Sequence, residues 1–303
     1  MPPTVDAVRT EALTKFYGRV VGIESLDLAI APGEIFGLLG ANGSGKTTTI
    51  RLLLDLIKPT GGRALVEGMD CRRDSLRVRR RVAYLPAEMP VYPEMTGAAY
   101  LRFLGRLQAA PPSQTLLASL LDRFDVSEVD LSRHIRDLSH GMKRKLGIVQ
   151  ALMADVAIFV LDEPTSGLDP LMIEAFADSV NELRAKGRTV LLSSHVLSEV
   201  EKLCDRIGII GRGRLTRVAS LRELRDTLPR LVRVLFRDPV AARPAIDGAR
   251  VVSTTTHEWR LEIAGPTCPL VGAIAQLPVQ DLEIAPVPLE SHILRLFGET
   301  PEA

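Results

Sequence analysis

Residues 40–47 read Gly-Ala-Asn-Gly-Ser-Gly-Lys-Thr and fit G-x-x-x-x-G-K-(S/T) at every fixed position. Before them, Glu34-Ile35-Phe36-Gly37-Leu38-Leu39 reads as a buried strand; after them, Thr47 to Leu54 reads as a helix. Strand, glycine loop and helix in that order make an anion trap. Gly40, Gly43 and Gly45 let the backbone curl so that successive N–H groups point inward at a phosphate chain. The following helix adds its positive N-terminal end. Lys46 reaches the outer phosphates as a mobile charge, and the Thr47 hydroxyl is placed to ligate Mg²⁺. The competing reading is a glycine-rich turn that binds nothing, and the agreement of spacing with both flanks disfavours it.

The 303 residues suffice for one large domain or two ordinary ones. With 46% hydrophobic and 25% charged residues, the composition is that of a soluble protein with a real core. A net charge of +1 gives no electrostatic argument for nucleic acid, and no such partner is expected. Cys71, Cys204 and Cys268 are odd in number and far apart, with neither metal spacing nor a disulfide framework, which suits a reducing compartment. The first residues lack the apolar core of a signal peptide. The longest apolar runs are of strand length, short of the roughly 18 residues that a spanning helix needs, so the chain is not expected to cross a membrane by itself.

Residues 7–39 read as an antiparallel strand region, with Leu26 to Ile30 alternating and Ala31-Pro32-Gly33 a turn. Tyr17 falls where this early sheet ends, either as a packed aromatic or as a platform on which a base stacks. A short strand follows at 63–67. The arginine-rich segment 72–81 reads as a solvated helix face, and Val82 to Leu85 as a strand. From about 94 to 153 the spacing turns helical, an insert within an α/β core. Past residue 228 the expected order is strand 231–236, helix 239–246, strands 251–255 and 259–263, helix 270–277 and strand 282–287, with a last helix at 289–297. That β-α-β-β-α-β order predicts a small α+β, ferredoxin-like domain over 229–303, with Trp259 as its core anchor.

Two more strands carry chemistry to one edge. The apolar run Val156 to Leu161 ends in Asp162-Glu163-Pro164, and Thr189 to Leu192 ends in Ser193-Ser194-His195. Ligands of open α/β sheets sit at that carboxyl edge. An acid there, beside a phosphate loop, typically holds Mg²⁺, which suits Asp162; the next carboxylate, Glu163, can polarise an attacking water. His195 taken alone is as well read as structural, but its place at the end of the next strand favours a part in the site.

Together these stretches resemble the nucleotide-binding subunit of an ATP-binding-cassette (ABC) transporter. Residues 40–47 match its Walker A loop, 157–163 (AIFVLDE) its Walker B strand, 166–169 (SGLD) its D-loop and His195 its switch histidine; 138–142 (LSHGM) stand where the family has LSGGQ. The motifs keep family order over roughly residues 8–217. The resemblance implies a P-loop NTPase cassette over 1–228, with an antiparallel β subdomain and a helical subdomain. ATP and Mg²⁺ are the implied ligands. It assigns nucleotide contact to Tyr17, Gly40, Asn42, Gly43, Ser44, Gly45, Lys46, Thr47 and Thr48 and, from the signature and D-loop, to Ser139, Gly141 and Asp169. Metal contact goes to Thr47 and Asp162, with Glu88 as a substitute because Ala87 stands where the family carries a glutamine. Glu163 and His195 take the catalytic roles. The helix behind LSHGM, with Lys143, Arg144 and Lys145, is expected to aim a positive end at a partner's phosphate.

The implied partners are a second cassette, identical or not, and an integral-membrane permease. The implied place is the cytoplasmic face of the membrane. The C-terminal addition resembles that of daunorubicin-type drug exporters. A regulatory module with little hydrolysis, or a soluble ABC ATPase outside transport, are the alternative readings; intact Asp162, Glu163 and His195 oppose the first, and the lack of coiled-coil heptads and of a second cassette opposes the other.

Overall fold

The computed structural model describes residues 5–88, 92–108, 111–226, 228–240 and 246–287. The chain divides into two compact units, Met1–Ala219 and Ser220–Ala303, a cut that precedes residue 228. Strands β1 (Val8–Tyr17), β2 (Val20–Ile30) and β3 (Ile35–Leu39) lead to helix α1 (Lys46–Leu53). Next come β4 (Gly61–Val66), β5 (Met69–Asp70), α2 (Ser75–Arg79) and β6 (Val82–Leu85). The helical stretch holds α3 (Gly97–Leu107), α4 (Gln114–Arg123), α5 (Glu128–Ser132) and α6 (His140–Leu152). Then follow β7 (Ile158–Asp162), α7 (Pro170–Ala185), β8 (Thr189–Ser194), α8 (Leu197–Leu203), β9 (Arg206–Gly211) and β10 (Arg214–Ser220).

Side-chain caps set where the helices start. Thr96, Ser113, Ser139 and Asp169 each accept an N–H from the first turn of α3, α4, α6 and α7, and Ser127 forms a capping box with Asp130 at α5. The arginine-rich segment yields only the short α2, because Asp70 accepts the N–H groups of Arg72 and Arg73 and holds them in a turn. Its arginines are exposed, as expected, and Arg77 and Arg81 pair with Asp74 and Glu67. Strand β5 and helix α8 are too short to leave a periodic signal, and sequence spacing missed them, whereas α5 falls within the stretch 94–153 read as helical.

The central sheet runs β10-β9-β3-β8-β7-β6, with β3 parallel to β8 and β9, and β7 parallel to β6 and β8. Every residue of β3, β7 and β8 is buried, which is why these strands read as mostly apolar runs without alternation. A second sheet, β2-β1-β4-β5, is antiparallel. Its Leu13, Ile23, Leu26 and Ile30 share one core with Phe36 and Leu38 of β3, Ile50, Leu52 and Leu53 of α1, and Ile158 and Val160 of β7. The helix behind the glycine loop is thus locked to both sheets.

The second unit contains α9 (Leu221–Asp226), β11 (Arg230–Phe236), β12 (Ala249–Thr254), β13 (Glu258–Ile263), α10 (Cys268–Ile274) and β14 (Val279–Pro286). Its sheet runs β12-β13-β11-β14 with every neighbour antiparallel. Alternate residues Val232, Val234 and Phe236, with Trp259, Leu261 and Ile263, pack with Leu270 and Ile274 of α10. Trp259 anchors this core, edge-on to Phe236 with ring centroids 4.5 Å apart. The opposite face carries Arg233–Glu258–Arg260 and Arg250–Glu262 pairs. Of the helix expected over 239–246, residues 239, 240 and 246 are not helical and 241–245 lie outside the described residues; so does the helix expected over 289–297.

Gly37 marks the closest approach of α8 to the central sheet. A Cβ there would lie 2.3 Å from Val200 Cγ1 and 2.8 Å from Cys204 Sγ. Gly37→Val is expected to cost about 1–3 kcal/mol by overpacking, read as a lowered thermal midpoint; a wild-type midpoint would refute this contact.

Candidate functional site

The loop after β3 keeps the shape its glycines predict. A Cβ on Gly40 would fall 2.3 Å from the Ile210 carbonyl oxygen, and Gly45 holds φ +115°, which only glycine adopts without strain. Gly45 is the N-cap of α1 and supplies no side-chain cap, so the first-turn amides are left for another acceptor. Ser44 is buried, and its hydroxyl has no hydrogen-bond partner among the described residues. Asn42 and Gly43 are exposed at the rim, and Thr47 and Thr48 are half-buried at the start of α1. Lys46 is 5% exposed and folds over the loop, donating to the Gly40 oxygen at 2.6 Å and the Ala41 oxygen at 3.2 Å.

The register of the central sheet brings the other groups to this loop. Leu39 lies beside Ser194, and Asp162 beside Ser193, so β3, β8 and β7 end together. Asp162 is fully buried. Its Oδ1 accepts the Ser193 hydroxyl at 2.5 Å, while Oδ2 has no hydrogen-bond partner among the described residues. The same Ser193 oxygen accepts the Glu163 N–H at 3.0 Å, so one hydroxyl fixes both acids. Glu163 has φ +49°, a left-handed conformation rare for a side-chain-bearing residue and a common mark of functional sites. That turn throws its carboxylate back across the sheet edge. Its Oε1 lies 3.1 Å from Lys46 Nζ, an ion pair without the alignment of a hydrogen bond, and its Oε2 lies 2.7 Å from His195 Nδ1. Lys46, Asp162, Glu163 and His195, read from three separate stretches, therefore meet at one site.

Among the described residues, the buried Ser44 hydroxyl and Asp162 Oδ2 have no hydrogen-bond partner and Glu163 Oε1 has only its ion pair with Lys46, beside the first-turn amides of α1. This set suits a phosphate chain carrying a hard divalent cation, since the amides and lysine neutralise the phosphates and the acid oxygens suit Mg²⁺. No group of three or more His, Cys, Asp or Glu is arranged to hold a metal ion among the described residues, so a metal here would depend on hydroxyl and phosphate oxygens too.

Ser139, Gly141 and Asp169 are not brought to this loop. Among the described residues none of them makes a hydrogen bond or ion pair with residues 40–48; Ser139 and Asp169 are exposed and cap α6 and α7. His140 is exposed, with its ring close against Gly167. Tyr17 is 45% exposed at the end of β1, with Lys15 Nζ 5.1 Å from its ring centroid. Glu88 is exposed, one residue past Ala87.

Arg144 is placed differently from the expectation. It does not extend the positive tip formed with Lys143 and Lys145 but turns inward, 3% exposed. Its guanidinium donates to the Pro86 oxygen at 2.6 Å, Ala87 at 3.2 Å, Asp162 at 2.6 Å, Pro164 at 3.0 Å, and to the Glu163 oxygen. Burial pushes its pKa down to about 10, against the opposing pull of the Asp162 and Glu163 charges. The signal was present: Gly147, Ile148, Ala151 and Leu152 follow at helical spacing and put position 144 on the buried stripe. Glu199, on the unanticipated α8, is a second omission; it accepts the hydroxyls of Thr165 at 2.6 Å and Ser194 at 2.9 Å and ties the segment after β7 to the end of β8 beside the site.

Comparison with known proteins agrees with this geometry. The family model described as ABC transporter matches residues 23–166. The daunorubicin resistance ATP-binding protein DrrA2 of Streptomyces coeruleorubidus is 32% identical, with 98% of this chain and 96% of that protein covered. The daunorubicin/doxorubicin resistance ATP-binding protein DrrA of Streptomyces peucetius is 36% identical over 73% of this chain and 68% of its own length. Among solved structures, an ATP-binding subunit of an ABC transporter superposes with a TM-score of 0.66 at 32% identity, covering 72% of this chain and 92% of that one. With a phosphate loop, two strand-end acids and a histidine assembled as described, and a 32% identical relative matched along nearly its whole length, the chain belongs to the ABC transporter family, as an ATP-binding subunit of the ATPase cassette fold.

Proposed function

We propose that this ATPase works as one of two cassettes paired head to tail. Each ATP would lie between residues 40–48 of one copy and Ser139 and Gly141 of the other. The observation that carries the hydrolytic reading is the convergence of Lys46, Asp162, Glu163 and His195 on one sheet edge. The reading of a shared site is supported by Ser139, which is exposed and unconnected to its own chain's loop.

In this reading the α1 amides and Lys46 bind the phosphates, and Tyr17 offers its exposed face to the adenine. Mg²⁺, when bound, supplies charge neutralisation at the outer phosphates; Thr47 and Asp162 would hold it, with Glu88 as an outer contributor. Glu163 takes a proton from water as the water oxygen bonds to the terminal phosphorus and the bond to ADP breaks. His195, bonded to Glu163 Oε2, orients that carboxylate and reaches toward the phosphate. Asp169, at the start of α7, would face the partner copy.

The C-terminal unit, proposed as an accessory domain from residue 229, is read as ferredoxin-like. Its strand order and all-antiparallel pairing support that reading. Relatives named for drug resistance support work in export, coupled to a separate membrane permease at the cytoplasmic face of the membrane. No helix among the described residues is long and apolar enough to cross a membrane.

Glu163→Gln is expected to lower turnover by about 10²–10⁴ while ATP still drives pairing of the chains in light scattering; equal loss of pairing would remove the assigned role. Lys46→Ala should weaken binding of a fluorescent ATP analogue, and an unchanged affinity would take Lys46 out of the phosphate site. Ser193→Ala leaves a buried carboxylate oxygen and an amide unsatisfied, at a cost of about 1–3 kcal/mol in denaturant unfolding; wild-type stability would show that water replaces the hydroxyl.

A further inference from the structure

We propose that Arg144 is a positioning residue for hydrolysis: by clamping the carbonyls of Pro86 and Ala87 together with those of Asp162, Glu163 and Pro164, it fixes the turn that aims the Glu163 carboxylate. The inference rests on the reading of Glu163 as the group that takes the proton from water.

Three observations carry it. First, among the described residues the guanidinium donates only to main-chain oxygens and no carboxylate accepts a hydrogen bond from it, so neutralising a partner acid is not its main task. Second, the oxygens it gathers come from the two consecutive segments that leave the neighbouring strands β6 and β7 at the site. A planar fork with donors on three nitrogens can span such a set, whereas a lysine ammonium donates from a single point. Third, the residue in the middle of the clamp is Glu163, whose left-handed backbone must be held by its surroundings. Ser193 holds the Glu163 N–H and Arg144 holds its carbonyl, so the peptide units on both sides of the strained residue are pinned. With the carbonyl released, the chain can relax to negative φ, and the carboxylate turns away from Lys46 and His195. Among the described residues no hydrogen bond joins the phosphate loop to these carbonyls, so nucleotide affinity is expected to survive loss of the clamp.

The test uses the full-length chain with Arg144→Lys, Arg144→Met and Arg144→Ala, alongside Glu163→Gln. Active sites are counted with a fluorescent ATP analogue, and kcat and KM for ATP are measured per folded site. Arg144→Lys and Arg144→Met are expected to lower kcat about 10²-fold with KM and analogue affinity unchanged, and added guanidinium ion, but not urea, is expected to restore part of the Arg144→Ala rate. Wild-type kcat per site in Arg144→Lys or Arg144→Met, or losses that follow only the folded fraction, would overturn the proposal. A silent Glu163→Gln beside a normal Arg144→Met removes this inference alone. Turnover in Glu163→Gln removes the proton-acceptor reading, and this inference with it.

Discussion

Two acids must stand side by side where a fully buried parallel strand stops, and the chain has to hold them there without water. Asp162 is sealed from solvent, and Glu163 follows in a left-handed turn that costs on the order of 1–3 kcal/mol. Each buried polar group left unpaired at such a point costs about as much again. The structure offsets these costs with one hydroxyl and one guanidinium. Ser193 bridges the Asp162 carboxylate and the Glu163 amide, and Arg144 collects the carbonyls around them. Among the described residues, Asp162 Oδ2 and the Ser44 hydroxyl are left without a hydrogen bond at this edge, where a ligand would satisfy them.

The phosphate loop depends on the same sheet edge from the other side. Its glycines bring the backbone against Ile210 and Ile23, and α1 is gripped by both sheets, so the free amides cannot drift from the strand-end acids. Lys46 is the movable element between them. It is held by two loop carbonyls and by Glu163, contacts that a phosphate can take over at little electrostatic cost. Pairing Lys46 with Glu163 also keeps two charges from standing unpaired in a poorly hydrated pocket.

Much of this was legible in the residues. The glycine loop, Asp162-Glu163 and His195 announce themselves because their chemistry is local: a phosphate loop needs glycines and lysine at fixed spacing, and strand-end acids follow an apolar run directly. Arg144 was legible only in part. Beside Lys143 and Lys145 it looks like a surface charge, and only the apolar stripe further along α6 shows that it faces inward. Ser193 was read at the sheet edge, but its role as a bridge between the acids gave no signal, since in a strand buried on both faces a serine differs from its neighbours only by the partner it meets. The short α8 was equally silent, and with it Glu199, because seven residues set no period.

By itself the sequence determined the cassette class, the phosphate chemistry and the identity of the acids, since these depend on residue type and on spacing along the chain. The tertiary structure alone decided that Lys46, Glu163 and His195 touch, that Ser193 and Arg144 hold the turn between the acids, and that Ser139 stands apart from its own loop. Those facts depend on parallel register and on which helix face is buried, both set by contacts between residues far apart in the chain.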